Sequence, residues 1–260
     1  MDLLTALEIS EGLTTHTFGK KIYYNRQVDS TNSWAREMAT AGAPEGTLVI
    51  AERQSAGRGR LGRQWCSPQG GIWLSIILRP QIPICQVQLM TLLTAVVVQE
   101  TIRKVADLTA GIKWPNDLLY NGRKLAGILT EMSAEKDCLR FLIVGVGLNA
   151  NVDTNSLPAE IQQQATSLWL ETGKLVSRKT WIQDFLLLLE QEYYKILEEG
   201  FTDILQRWRR YTHTLGREVT IHCNKGTIRG KAVDINEQGA LLVETPAGLT
   251  VCWAGDVVNK

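Results

Sequence analysis

The chain has 260 residues, of which 28 are Lys or Arg and 27 Asp or Glu, for a formal net charge of +1. With 44% hydrophobic and 21% charged residues it can bury a sizeable core, which excludes general disorder. The neutral balance argues against a dedicated nucleic-acid binder, and no apolar run approaches the ~18–20 residues of a membrane helix. The first residues, MDLLTALEISEG, lack the basic start and long apolar run of a signal peptide. Five cysteines, at 66, 85, 138, 223 and 252, are odd in number and never form CxxC. Neither a disulfide framework nor a zinc site is indicated, and a reducing cytoplasm is the expected setting.

In chain order, IYYNRQV (22–28) reads as a strand. DSTN then supplies cap-type residues before a helix, SWAREMATA, that Gly42 can close. TLVIAE is the next strand, followed by a glycine- and arginine-rich loop and the buried-type strand GIWLSIILRP. Residues 85–106 form the first long helix, apolar at helical spacing, with charge confined to the C-terminal turns. IKWP, DLLY, KLAGILTEMS and LRFLIVGVGLN follow as short extended runs. Asn121-Gly122 between DLLY and KLAGILTEMS predicts a hairpin, because that pair tolerates the positive φ of a tight turn. Residues 178–210 carry helical patterning, interrupted at Gly200.

After about His213 the texture changes to short alternating runs broken by glycine, the pattern of a small antiparallel sheet or barrel that docks on a larger domain. Five basic residues (Arg217, Lys225, Arg229, Lys231, Lys260) balance five acidic ones (Glu218, Asp234, Glu237, Glu244, Asp256), so an RNA-binding appendage is not expected.

The strongest anomaly is electrostatic. No acidic residue lies between Glu52 and Glu100, yet Arg53, Arg58, Arg60, Arg63 and Arg79 do. Three of them sit in GRGRLGR (57–63), whose glycines allow close backbone approach to a carboxylate or phosphate. A solvated flexible loop is the competing reading, though it does not need so one-sided a charge. The same string matches G-x-G-x-x-G, but no helix opens directly after it and no acidic residue follows at the spacing a dinucleotide fold requires. The histidines at 16, 213 and 222 are scattered, and His222-Cys223 reads as strand packing. No nucleophile–base arrangement is evident, so chemistry would rest on positioning and charge neutralisation.

Other polar residues stand where strands end. Ser30, Thr31 and Asn32 offer short donors and acceptors, or simply cap a helix. KWPND sets Lys113, Asn116 and Asp117 around a proline, or is only a turn. Lys124 opens an apolar strand with Gly127 three residues on, where a snorkelling edge lysine is the competing reading. GVGLNAN sets Asn149 just past a buried strand.

In this order STN, Gln54 with GRGRLGRQW, KWPNDL, RKLAGIL and GVGLN resemble the biotin–protein ligase family over about residues 22–213. The tail resembles that family's small SH3-like barrel. The resemblance implies an α+β fold: a class II aminoacyl-tRNA synthetase-like mixed sheet flanked by helices (1–213, binding biotin and ATP) plus the C-terminal SH3-like domain (214–260). It implies that biotin and Mg-ATP give biotinyl-5′-AMP, and that a lysine of a biotin carboxyl carrier protein of acetyl-CoA carboxylase then attacks it.

Carried over by position, Ser30, Thr31, Asn32 and Gln54 would hold biotin, together with Gly127. Arg58, Gly59 and Arg60 would belong to the loop closing over biotin and its adenylate, and Lys124 would be the catalytic lysine beside Arg58 and Arg60. Trp65, Asn116 and Asn149 would face ATP, and Asp117 would accept a proton from the acceptor lysine. Metal ligands stay open. A homodimer is an option, and neither nucleic acid nor membrane is an expected partner. Only 29 residues precede Ser30, too few for the winged helix-turn-helix of some members, so a repressor function is not expected. A lipoate–protein ligase is the nearest rival, but its RRxSGGG-type motif is absent. A biotin-binding regulator without catalysis is the other, against which the intact Lys124, Arg58 and Arg60 argue.

Overall fold

A computed structural model describes residues 4–223 and 226–259. Lys225 and Lys260, counted above in the charge balance of the tail, lie outside the described residues. The first element is a short helix α1 (Ala6–Ser10), opened by a reciprocal Thr5–Glu8 capping box. Strand β1 (Ile22–Val28) leads to α2 (Thr31–Thr40), β2 (Leu48–Gln54) and β3 (Ile72–Leu78). The long helix α3 (Val87–Ala106) follows one 3-10 turn, and then come β4 (Gly111–Lys113), β5 (Asp117–Tyr120), β6 (Arg123–Glu135) and β7 (Cys138–Leu148). Two short helices, α4 (Ala159–Gln162) and α5 (Leu168–Thr172), precede α6 (Arg178–Glu199) and α7 (Thr202–Tyr211).

The seven strands form one mixed sheet in the order β1-β2-β3-β7-β6-β5-β4, with only β1 and β2 parallel. Strand alternation sorts its apolar residues onto two faces. Leu48, Ile50, Ile76, Leu142 and Val144 belong to the main core with α3 and α6, whereas Val49, Ile77 and Ile143 meet Ala35 and Ala39 of α2. With its preceding turn, α3 (Ile84–Ala106) is long and apolar enough by composition to cross a membrane. Here its residues from Leu89 to Gln99 are buried, and it packs against α6, α7 and β6 as the central core helix.

Glu52 and Arg178 are almost fully buried and pair at 2.8 Å. Arg178 also donates to Gly71 O at 3.1 Å, and Glu52 accepts from Leu4 N at 3.1 Å. This knot ties the N-terminal segment, the β2 and β3 ends and α6 together. Gly200 ends α6 at φ 78°, the break foreseen in the helical pattern.

The C-terminal residues form a second, antiparallel sheet of β8 (Glu218–Cys223), β9 (Gly226–Ile235), β10 (Leu241–Thr245), β11 (Gly248–Cys252) and β12 (Asp256–Asn259), in the order β11-β10-β9-β8-β12. It docks on the first sheet's helices. Gly239 accepts hydrogen bonds from Trp114 Nε1 and Gln88 Nε2, both at 3.0 Å, and Arg209 pairs with Asp234 at 2.7 Å. His222 and Cys223 lie on β8, with His222 against Thr227.

Candidate active site

An open cleft of about 120 Å³ lies over the centre of the sheet, and most of the expected residues line it. Ser30 caps α2, its side chain accepting from Ser33 N, and it also faces the cleft, so the two readings of that serine coexist. Gln54 Oε1 accepts from Thr31 N at 2.8 Å and from Thr31 Oγ1 at 3.1 Å, while its Nε2 donates to Ser67 Oγ at 2.7 Å. Ser75 on β3 donates to Thr31 Oγ1 at 2.8 Å and lies 2.6 Å from Asn32 Oδ1. Asn32 Nδ2 completes the set through Glu131 at 2.8 Å and Leu129 O at 3.2 Å. These neutral donors and acceptors are preset by one another, the condition for a selective polar subsite.

The floor is glycine. A Cβ on Gly145 would stand 2.1 Å from Asn32 Oδ1, and one on Gly147 would stand 2.6 Å from Trp65 Nε1. Gly127 pairs with Gly147 across β6 and β7, and the Trp65 indole lies on both. Trp65 Nε1 is buried and finds no acceptor among the described residues, so the cleft holds one unpaired donor.

Lys124 rises at the other end. The β5–β6 pairing shifts register there, so Leu119 opposes Lys124 while Leu118 opposes Ala126. The extra residue, Leu125, turns into the core and leaves Lys124 to the cleft. Its Nζ lies 2.8 Å from Asp117 Oδ2 and 4.9 Å from the Trp65 ring centroid. Asn116, just after the cis peptide Trp114–Pro115, donates to Asp117 Oδ1 at 3.1 Å and to Ile128 O at 3.0 Å.

The Arg/Gly loop closes the cleft. Arg60 donates to Asn116 Oδ1 at 3.0 Å and to Gly255 O at 3.3 Å, and its burial pushes the guanidinium below its usual pKa. Arg58 pairs with Glu131 at 2.9 Å, and Arg63 with Asp256 at 2.7 Å. Burial works against the Asp256 carboxylate, but the hydrogen bond and charge of Arg63 hold it below the ordinary carboxylate range. The charge imbalance of residues 53–99 is thus answered by acids much later in the chain. Arg79 stands apart: it donates to Ala39 O and Ala43 O and so finishes α2.

Asn149 is the exception among the expected residues. It is buried and off the cleft lining, donating to Thr166 O at 2.9 Å and Lys124 O at 3.4 Å. Ser75, Glu131, Gly255 and Asp256 were not foreseen. Glu131 closes the string KLAGILTE, but no local signal points Asp256, in a neutral tail, toward this cleft.

Comparison with known proteins agrees with this geometry. Residues 24–149 match the Biotin/lipoate A/B protein ligase family, and residues 214–258 match the biotin protein ligase C-terminal domain. The chain is 42% identical over 255 residues to the bifunctional ligase/repressor BirA of Bacillus subtilis, covering 98% of this chain and 78% of that one. It is 31% identical over 240 residues to the biotin--[acetyl-CoA-carboxylase] ligase of Paracoccus denitrificans, covering 89% and 97%. In structure it resembles the biotin protein ligase of Aquifex aeolicus in complex with biotin and ATP, with a TM-score of 0.80, 32% identity and coverage of 93% and 99%. On fold, sequence and matched domains alike, the chain belongs to the biotin protein ligase family.

Proposed function

We infer that this chain is a biotin–[acetyl-CoA-carboxylase] ligase. It joins biotin to ATP as biotinyl-5′-AMP and transfers the biotinyl group to a lysine of a biotin carboxyl carrier protein. The observation that carries this reading is the convergence of Lys124, Arg58 and Arg60 on one cleft with the neutral set Ser30, Thr31, Asn32 and Gln54. Biotin has the same division: a neutral ureido ring with two N–H donors and a carbonyl, and a remote carboxylate.

In the first step a carboxylate oxygen attacks the α-phosphorus, the bond to the β-phosphate oxygen breaks, and pyrophosphate leaves with the electron pair. Two anions must meet, so fixed cations that match the charge of the transition state lower the barrier. Lys124, Arg58 and Arg60 are assigned that task, with Gly59 in the loop that carries the two arginines. Gly127 and Trp65 form the wall beneath, and Trp65 with Asn116 is assigned to the nucleotide, for which the unpaired Trp65 Nε1 is a ready donor. Asn149 is assigned a positioning role, because its amide holds the carbonyl of Lys124 rather than facing the cleft. In the second step the acceptor amine attacks the acyl carbon, AMP leaves, and a base takes the amine's proton. Asp117 is assigned that base, and before the acceptor arrives it anchors Lys124.

Mg²⁺ enters this reading as part of the Mg-ATP substrate. Among the described residues no three metal-ligating side chains gather, and Asp117, Glu131 and Asp256 each already face a cation. An ion held mainly by phosphates and water suits such a donor set. Residues 1–213 would carry both steps, with the barrel of 214–260 supplying Gly255 and Asp256 to the loop. A reducing cytoplasm is the setting that belongs to this reading.

The test is to mix the chain with biotin, Mg-ATP and a carrier domain. Pyrophosphate release and a biotinyl mass gain on one carrier lysine are expected, with lipoate in place of biotin giving neither. Release of pyrophosphate with lipoate but not biotin would overturn the assignment.

A further inference from the structure

One carboxylate touches both halves of the cleft. Gly127, Leu129 and Glu131 stand at alternate positions of β6 and so share one face of the sheet. The Glu131 side chain is 16% exposed. Its Oε2 accepts from the Asn32 amide at 2.8 Å, and its Oε1 accepts from the Arg58 guanidinium at 2.9 Å. Arg36 stands further off, 3.6 Å from Oε1. A surface ion pair needs only the arginine side of this arrangement.

The amide side decides what Asn32 can offer a ligand. Glu131 and Leu129 O take both of its amide protons, so Asn32 has no donor left. Its Oδ1, beside the Ser75 hydroxyl, keeps acceptor capacity and lies under Gly145, where an added Cβ would stand 2.1 Å away. An ionised carboxylate only accepts, so Glu131 fixes this orientation of the amide and presents Asn32 as an acceptor for a ring N–H.

The arginine side decides where the loop's cation stands. Among the described residues Glu131 engages one N–H of Arg58, and Arg58 lines the cleft. The rest of its guanidinium fork is left for a carboxylate or phosphate.

We propose that Glu131 is a positioning residue for the first step: through Asn32 it sets the ring subsite to receive an N–H, and through Arg58 it holds the loop's cation over the same cleft. This role rests on the ligase reading above. One side chain thereby links recognition of a neutral ring to placement of the charge that the carboxylate end needs.

The experiment uses the full chain with Glu131→Gln, Glu131→Ala, Arg58→Ala and the double variant Arg58→Ala/Glu131→Gln. Arg36→Ala is the control, since it removes the third, distant partner of the same carboxylate. Calorimetry with biotin alone reads the ring subsite, and pyrophosphate release at saturating biotin and Mg-ATP reads the first step. Glutamine keeps an oxygen for Asn32 but loses the charge that holds Arg58. Its biotin Kd is expected within about twofold of the parent, with pyrophosphate release about ten- to a hundredfold slower, the scale of a misplaced group. Alanine loses both contacts, so the same slowing should come with a biotin Kd raised about tenfold or more. The double variant should be no slower than Arg58→Ala, because Glu131 acts on the rate through that arginine.

Parental Kd and rate in both Glu131 variants would reduce the residue to a surface ion pair and overturn the proposal. Equal rises in biotin Kd in Glu131→Gln and Glu131→Ala would overturn it as well, as would additive slowing in the double variant or equal losses in Arg36→Ala. Failure of the ligase reading shows separately, as absent biotin heat and pyrophosphate release in the parent. Trypsin cleavage after Arg60 or Arg63 without ligand then still reports on the loop, and it should be up to about fivefold faster in Glu131→Gln than in the parent.

Discussion

The Lys124 ammonium sits 2.8 Å from Asp117 and 4.9 Å from the face of Trp65, so one cation is shared between a carboxylate and an indole. The aromatic face adds attraction without neutralising the charge, and the carboxylate fixes its direction. Lys124 is over a third exposed, which leaves its partner exchangeable for an incoming anion.

Lys124→Ala is expected to slow adenylate formation by about 10²–10³, the scale for losing one preorganised charge-stabilising group. The fold should survive, because the side chain stands outside the core. Pyrophosphate release and circular dichroism check both parts, and near-parental release from a folded variant would reduce Lys124 to a snorkelling residue.

Asp117→Asn separates anchoring from base catalysis. If Asp117 takes the acceptor's proton, biotin transfer from preformed adenylate should fall about 10²-fold or more, while adenylate formation falls far less. Single-turnover measurement of each step decides. Equal losses in both would leave Asp117 as an anchor for Lys124 only.

Besides the Arg60 hydrogen bonds, the loop 57–63 is held by two ion pairs whose arginines, Arg58 and Arg63, are 49% and 63% exposed. Such pairs contribute about 0–1 kcal/mol each, so the closed loop is only weakly favoured without ligand. Trypsin cleavage after Arg58, Arg60 or Arg63 is expected to slow markedly when biotin and ATP are added. The same cleavage rate with and without ligand would refute ligand-linked closure.

Arg60→Gly should loosen the adenylate more than biotin. A charge-assisted hydrogen bond contributes about 1.5–3 kcal/mol, so one lost contact speeds escape of biotinyl-AMP by about ten- to a hundredfold. Escaped adenylate acylates exposed lysines of bystanders. Serum albumin should therefore gain biotin in the variant at equal adenylate formation, and unchanged labelling would show that Arg60 does not retain the intermediate.

Gly145→Ala and Gly147→Ala should fail in different ways. The first drives a methyl against Asn32, the second against Trp65. Strain of about 1–3 kcal/mol is the usual cost of overpacking. Calorimetry should show weaker biotin binding in the first and weaker nucleotide binding in the second. A swapped pattern would reverse the assignment of the two ends of the cleft.

Arg178→Met leaves Glu52 charged and unpaired in the core, a loss of about 3–5 kcal/mol in urea denaturation. Glu52→Leu with Arg178→Met should recover much of it, because an apolar pair needs no partner.

Much of the fold was legible in the chain because local rules agreed with it. Short extended-type runs marked β1, β2, β3 and β7, the Asn121-Gly122 pair marked the β5–β6 turn, and Gly200 marked the break between α6 and α7. The two short helices before α6 carry too few periodic residues to stand out, and α1 shows only its cap. The site residues were legible because they sit on strand ends and loops in recognisable strings.

Their electrostatic partners were not. Arg58 meets Glu131 across 73 positions and Arg63 meets Asp256 across 193, so the one-sided charge of residues 53–99 becomes balanced only after folding. Asn149 shows the same limit from the other side. Its place after a buried strand suggested a ligand contact, but whether an amide turns to the cleft or to a neighbouring backbone is decided by the residues packed around it. Hydrophobic period is a property of neighbours in sequence, and so the sequence determined strands, helices and glycine stops. Charge pairing, and the seating of the C-terminal barrel against the loop, depend on neighbours in space, and so only the tertiary structure decided them.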